Sequence, residues 1–132
     1  MKELDVFIQG ENVDLCIPTA EFANDSDWYT WFNNKKITRF LEQGMFPNTA
    51  VEQVDFYHAQ KKSGRVTFII SNKEKYIGVI SLSSVDLIKK KCDVALVINN
   101  ALDIKRSPFI ALESMALMTE HAFETMGMKR IQ

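Results

Sequence analysis

The chain reads as a single α+β domain spanning residues 1–132, with a mixed β-sheet flanked by helices. Three observations predict this. Runs rich in β-branched residues fall in pairs around turn residues. Several polar–apolar runs carry helix caps. A long helix separates the last two predicted strands, where a parallel crossover is expected.

Taken in order, Asn12 to Ile17 alternates polar and apolar residues and stops at Pro18, which predicts a first short strand. NDSDWYTWFNN follows, with Asn24, Asp25 and Ser26 as candidate caps ahead of Trp28, Trp31 and Phe32, so a short helix is expected. A second helical piece is expected from Ile37 to Gln43, ending at Gly44 ahead of Pro47. Thr49 and Glu52 stand at capping-box spacing and open a helix whose Val51, Val54, Tyr57 and His58 recur on one face up to Gly64. RVTFIIS, the turn NKEK and YIGVISLSSVDL predict an antiparallel hairpin with Gly78 inside its second strand. Beyond the lysines at 89–91, CDVALVI has the apolar character of a central strand. After a polar loop from Asn99, Pro108 suits the first turn of a helix. Its predicted apolar face runs through Phe109, Leu112, Met115, Ala116, Thr119, Ala122, Phe123 and Met126 to Gly127. Lys129, Arg130 and Ile131 can begin a last strand.

Composition narrows the function classes. Residues are 46% hydrophobic and 11% aromatic, enough for one core. Sixteen basic residues against seventeen acidic leave a net charge of −1. That balance points away from nucleic acid and from a membrane surface, so an anion must be held by a local site. Cys16 and Cys92 lack CxxC spacing and neighbouring ligands, so neither a disulfide framework nor a metal site is expected. An N-terminus that reads MKELDVFIQGENVDL lacks the apolar segment of a signal peptide, and a cytoplasmic location is the expectation. His58 and His121 have no partner at metal spacing and read as ordinary helical histidines.

Two segments carry a family resemblance. YIGVISL followed by CDVALVI resembles the third and fourth strands of the GCN5-related N-acetyltransferase (GNAT) family, which commonly read xIGxxxL and (A/C)-E-x-G-x-x-I. RSPFIALESMALMTEHAFETMGMKRI resembles that family's R-G-x-G-x-(G/A)-x-E-A signature, the helix that ends in Ala-Phe and the closing L-G-(L/M)-x-R-(I/L). Glu113 and Ser114 fall on the E-A pair, Ala122 and Phe123 on Ala-Phe, and Gly127, Met128, Arg130 and Ile131 on the closing motif. The flavour is similar to the branch of ribosomal-protein and sugar-nucleotide amine acetyltransferases.

The resemblance implies a GNAT-like (acyl-CoA N-acyltransferase) fold lacking its C-terminal strands, with acetyl-CoA as cosubstrate and no metal. The implied reaction moves an acetyl group onto a primary amine: a small amine, an amino sugar nucleotide or a protein N-terminus. Backbone groups of Leu96, Val97 and Ile98 would bond the pantetheine amides, with Ala95 at a common Gly position. The pyrophosphate loop would comprise Arg106, Ser107, Phe109, Ile110 and Ala111. Such a loop presents backbone N–H groups at a helix N-terminus, which is why the family favours glycine there. Here Ser107 and Phe109 replace the glycines and Pro108 removes a donor.

By the same resemblance Asp93 stands where the family often has a Glu that accepts the amine proton; otherwise it is a solvated strand carboxylate. The family's thiol-protonating Tyr falls beyond Gln132, and Tyr29, Tyr57 and Tyr76 do not match it. Trp28, Trp31, Phe32 and Phe40 read first as core and second as the wall of an acceptor pocket. An alternative to the enzyme is a non-catalytic GNAT-like interaction module. In either case an incompletely covered fourth strand suggests a homodimer.

Overall fold

The computed structural model describes residues 3–31, 48–99 and 107–132. Six strands form one sheet in sequential order. They are β1 (Val6–Gln9), β2 (Asp14–Cys16), β3 (Val66–Ser71), β4 (Tyr76–Asp86), β5 (Lys91–Ile98) and β6 (Arg130–Ile131). Neighbours are antiparallel except β5 and β6, which are parallel, so the mixed α+β sheet expected from the sequence is present. The helices are α1 (Ala20–Asp25), α2 (Trp28–Trp31), α3 (Ala50–Ser63) and α4 (Ser107–Glu120). A π-helical turn, His121–Thr125, continues α4, and α4 is the crossover that joins β5 to β6.

Local chemistry explains most boundaries. Thr49 Oγ1 accepts the Glu52 N–H at 3.2 Å, as the cap spacing predicts, and α3 closes on Gly64, whose φ of 75° is the left-handed region open to glycine. Gly127 takes a similar φ of 74° where the α4 segment ends. The hairpin turn between β4 and β5 is held by Asp86 Oδ1, which accepts the Ile88 and Lys89 N–H groups at 3.0 and 2.9 Å.

Several expectations need correction. β1 precedes the strand expected first; it is four residues long and largely exposed, so it carries no alternation that a pattern can register. Asn24 and Asp25 do not cap the first helix. They close α1, which Thr19 caps through its Oγ1 and the Phe22 N–H at 3.1 Å, while Ser26 Oγ accepts the Trp28 N–H at the start of α2. In α3, Val54 and Tyr57 pack on the core, but Val51 is 68% exposed and His58 is exposed too. The buried turn positions are Gln53 and Gln60, and Gln53 Oε1 is satisfied by Asn48 Nδ2 at 2.9 Å. The expected helix at 37–43 and the residues 100–106 lie outside the described residues.

Two cores lie on opposite sheet faces. α1–α3 cover one face, where Phe22, Trp28 and Trp31 pack on Ile69, Val79 and Val97. Burying an indole removes roughly 200 Å² from water and contributes about 5 kcal/mol, so Trp28 and Trp31 anchor this layer. α4 covers the other face, against Phe68, Ile70, Ile80, Leu82 and Cys92. It does so through Ile110, Ser114, Met118 and Ala122, spaced four apart. The predicted face meets the core at Ala122 and, partly buried, at Met115 and Met126, but Phe109 (74% exposed), Leu112 (71%) and Phe123 face outward. A helix apolar on most of its circumference gives no pattern that selects one face.

α4 is pinned to the β1–β2 turn by one carboxylate. Glu113 Oε2 accepts the Asn12 and Val13 N–H groups at 2.9 and 2.7 Å, and Oε1 accepts Asn12 Nδ2 at 3.1 Å. Gly10 makes room for it, since a Cβ there would stand 2.7 Å from Glu113 Oε2. Burial would raise the Glu113 carboxyl, but the bonds from Asn12 and Val13 outweigh burial and hold it below its ordinary value. A carboxyl depressed in the folded chain contributes stability that is complete above its unfolded pKa of about 4.3 and is lost as pH falls through the folded value. Glu113→Gln should therefore lower unfolding free energy by about 2 kcal/mol at neutral pH. Denaturant melts across pH 3–7 should also show a weaker acid decline than the parent.

Candidate functional site

The site begins on β5 beyond its pairing with the described residues of β6. β5 pairs with β4 from Lys91 to Ile98, but with β6 only through Lys91, Cys92 and Val94. Gln132 N–H donates to Cys92 O at 3.0 Å and Gln132 O accepts the Val94 N–H at 2.9 Å. Past Val94 that flank of β5 has no partner among the described residues. Main-chain groups alternate along a strand. Those of Leu96 and Ile98 therefore point to the open flank, and those of Val97 point to β4. Orphaned amide groups need partners, and an extended, amide-bearing ligand supplies them.

Gly78, opposite Ile98, makes this part of the sheet fit. A Cβ on Gly78 would stand 2.5 Å from Val97 O and 3.3 Å from Ile98 Cα, so any side chain must displace β5.

At the carboxyl end of β5 the chain leads toward α4, whose first N–H groups have no intrahelical partner and carry the positive end of the helix dipole. Of the residues assigned to an anion loop, Arg106 lies outside the described residues, and Ser107 opens the helix. Phe109 points to solvent, Ile110 into the core, and Ala111 is half-buried, so only their backbone groups are suited to phosphate. The residues present thus fit an acyl-CoA in two ways: an open strand flank for the amides of the pantetheine arm, and a helix start for the diphosphate.

Asp93, Ala95 and Val97 share the sheet face covered by α1–α3, while Cys92, Val94, Leu96 and Ile98 face α4. Asp93 is half-buried. With the Gln132 amide turned to satisfy both neighbours, its nitrogen donates to Asp93 Oδ1 at 3.2 Å and its oxygen accepts from Arg130 Nη2 at 2.8 Å.

On this same face lies a cavity of about 280 Å³ between α2, α3 and β3–β5. Its floor is the cross-strand row Thr67–Ser81–Ala95, and Trp28, Phe56 and Arg65 wall it. Asp93 stands two residues from Ala95 on one side of β5, a rise of about 7 Å. Of the aromatic residues weighed as a pocket wall, Trp28 lines this cavity and Trp31 is core, while Phe32 and Phe40 lie outside the described residues. Arg65, Thr67 and Ser81 are not identifiable from the sequence, since only strand register brings them together. Among the described residues no group of three or more His, Cys, Asp or Glu could hold a metal. No helix there is long and apolar enough to cross a membrane.

The sequence model of the acetyltransferase (GNAT) domain matches residues 16–132. No curated protein matches the chain. Among solved structures, the acetyltransferase (GNAT family) from Bacillus anthracis superposes with a TM-score of 0.72 at 16% identity, covering 95% of this chain and 70% of its own. The microcin C7 self-immunity acetyltransferase MccE, in complex with acetyl-CoA and AMP, gives 0.69 at 17% identity, covering 92% and 68%. RimL, a ribosomal L7/L12 alpha-N-protein acetyltransferase in complex with coenzyme A, gives 0.68 at 12% identity, covering 89% and 67%. At these identities the likeness is one of fold.

Gly78→Ala tests the close approach of β4 to β5. Overpacking against the β5 backbone should cost about 2 kcal/mol, read as a lowered urea midpoint with an unchanged slope.

Proposed function

We propose, because the chain belongs to the acetyltransferase (GNAT) domain family, that it is an acetyl-CoA-dependent N-acetyltransferase acting on a primary amine. The acceptor classes in view are a small amine, an amino sugar nucleotide or a protein N-terminus. The observation that carries this reading is the flank of β5 at Leu96 and Ile98, unpaired among the described residues, beside a half-buried carboxylate and a cavity on the neighbouring face. MccE with acetyl-CoA and AMP, and RimL with coenzyme A, lend it support as relatives in fold.

Acetyl-CoA supplies the thioester whose acetyl group is transferred. Leu96 and Ile98 offer the N–H and C=O groups that bond an extended amide chain, and the first turn of α4 with Arg106 offers donors to a diphosphate. Asp93 takes the proton the amine must lose to become nucleophilic, through water, on the face that also bears the cavity. A covalent route through cysteine is disfavoured. Burial pushes the Cys16 thiol up to about 11, the neighbouring Asp14 adding to the effect, and burial with Asp93 raises Cys92. Direct attack by the amine is therefore the mechanism proposed. No tyrosine is assigned as acid, and Tyr76 is engaged elsewhere, its hydroxyl accepting the Leu4 N–H at 2.9 Å.

A second reading is a domain that binds without transferring, favoured by Ser107, Pro108 and Phe109 at the start of α4 in place of a glycine loop. For either reading we also propose a homodimer in the cytoplasm. Phe109, Leu112 and Phe123 on the outer face of α4 support the pairing, and two buried free thiols suit a reducing compartment.

Acetyl-CoA at about a hundred times its Kd should stabilise the chain by about 2.7 kcal/mol, a rise in Tm of about 10 °C. Asp93→Asn should retain that rise while CoA release in the presence of amine falls by about a hundredfold. A chain that shows the thermal shift but no acetyl transfer with any amine obeys the second reading, and one that shows no shift obeys neither.

A further inference from the structure

The cavity beneath α2 and α3 carries an unbalanced set of polar groups. Arg65 reaches it from the start of β3, with Nη2 donating to Ser81 Oγ at 2.9 Å and its guanidinium over the Phe56 ring at 5.2 Å. Among the described residues no carboxylate pairs with it. Three polar atoms of residues that line the cavity are themselves shielded from solvent and have no hydrogen-bond partner: Arg65 Nε, Trp28 Nε1 and Thr67 Oγ1. Trp28 is 0% exposed and Thr67 6%. Indole and guanidinium nitrogens only donate, and a hydroxyl can donate as well. A cavity whose lining residues carry unpaired donors, one of them cationic, with no carboxylate among the described residues to meet them, is complementary to an acceptor-rich negative group.

We propose that this cavity seats the acceptor substrate, and that Arg65, with Trp28 and Thr67, binds an anionic group (a carboxylate or a phosphoryl group) carried by a small amine. The inference rests on the acetyl-transfer reading above and narrows its acceptor class. Size agrees. About 280 Å³ lies just under the usual range of small-molecule sites, so the seat suits an amino-acid-sized molecule or the end of a larger one. Placement agrees as well. Asp93 stands on the same sheet face, about 7 Å along β5 from the cavity floor at Ala95, so an amine tethered to an anion held at Arg65 is directed toward that carboxylate. Burial lowers the Arg65 pKa, yet a guanidinium stays protonated at neutral pH, so the positive charge is permanent.

The test titrates three amines, β-alanine, 2-aminoethyl phosphate and ethanolamine, against the chain saturated with coenzyme A, which has no acetyl group to transfer, following tryptophan fluorescence and Tm. β-Alanine and 2-aminoethyl phosphate separate carboxylate from phosphoryl recognition, and ethanolamine lacks the anion. At least one anionic amine should bind about tenfold more tightly than ethanolamine, the size of one charge-assisted bond pair. Arg65→Gln should reduce that advantage below about threefold. Should Arg65→Gln fail to fold, Thr67→Val keeps the guanidinium, removes one donor and should cost the anionic amine about threefold. Equal binding of the three amines, or an advantage untouched by both substitutions, overturns the assignment, whereas the acetyl-CoA shift measured beforehand would still stand. The loss of that shift with anion binding retained removes the acetyl-transfer reading and the acceptor role together.

Discussion

The structure turns on one strand, β5, whose two flanks are paired to different extents among the described residues. β5 is paired on both flanks as far as Val94 and on one flank from there to Ile98. Among the described residues, β6 pairs only with the beginning of β5. On the other flank, Gly78 lets β4 approach the backbone of Val97 and Ile98 with no Cβ between them. Glu113 fixes α4 by reaching across to the main chain of Asn12 and Val13, tying the crossover helix to the far end of the sheet.

Strand alternation then sorts the chemistry. Even-numbered positions of β5 from Cys92 to Ile98 send side chains into the α4 core and turn main-chain groups to the β6 flank, where those of Leu96 and Ile98 have no partner among the described residues. Odd-numbered positions place Asp93, Ala95 and Val97 against α1–α3, where the cavity lies. One strand can therefore serve two molecules, a cosubstrate bound by backbone at its edge and an acceptor seated on its face. The same alternation separates Val97 from Leu96 and Ile98, three consecutive residues that the family resemblance treats as a group.

Much of this was legible in the sequence, and the rest was hidden for physical reasons. Caps and turn glycines act over four residues, so Thr49, Gly64 and Gly127 could be read directly. The β3–β4 hairpin announces itself through β-branched runs around a polar turn. Faces were harder. α4 carries apolar residues nearly all round, and the small Ser114 and Ala122, which allow close approach to the sheet, were outweighed by the larger Phe109 and Leu112. α3 buries glutamines, which a hydrophobic pattern discounts. α1 sat behind Pro18 and shows only two buried residues, Phe22 and Ala23. Asp93 and the β5 segment were reached through resemblance to a family. Arg65, Thr67 and Ser81 were not, because their meeting depends on the Thr67–Ser81–Ala95 register and on the polarity of a cavity, neither of which is local in sequence.

The account stands or falls on the open flank of β5, and residue-resolved amide hydrogen exchange addresses it directly. In the free chain the Leu96 and Ile98 N–H groups should exchange readily while Val97, bonded to β4, is protected, and adding acetyl-CoA should slow Leu96 and Ile98 by at least about tenfold. Leu96 and Ile98 as protected as Val97 before any ligand is added, or unaltered once acetyl-CoA is bound, would contradict it.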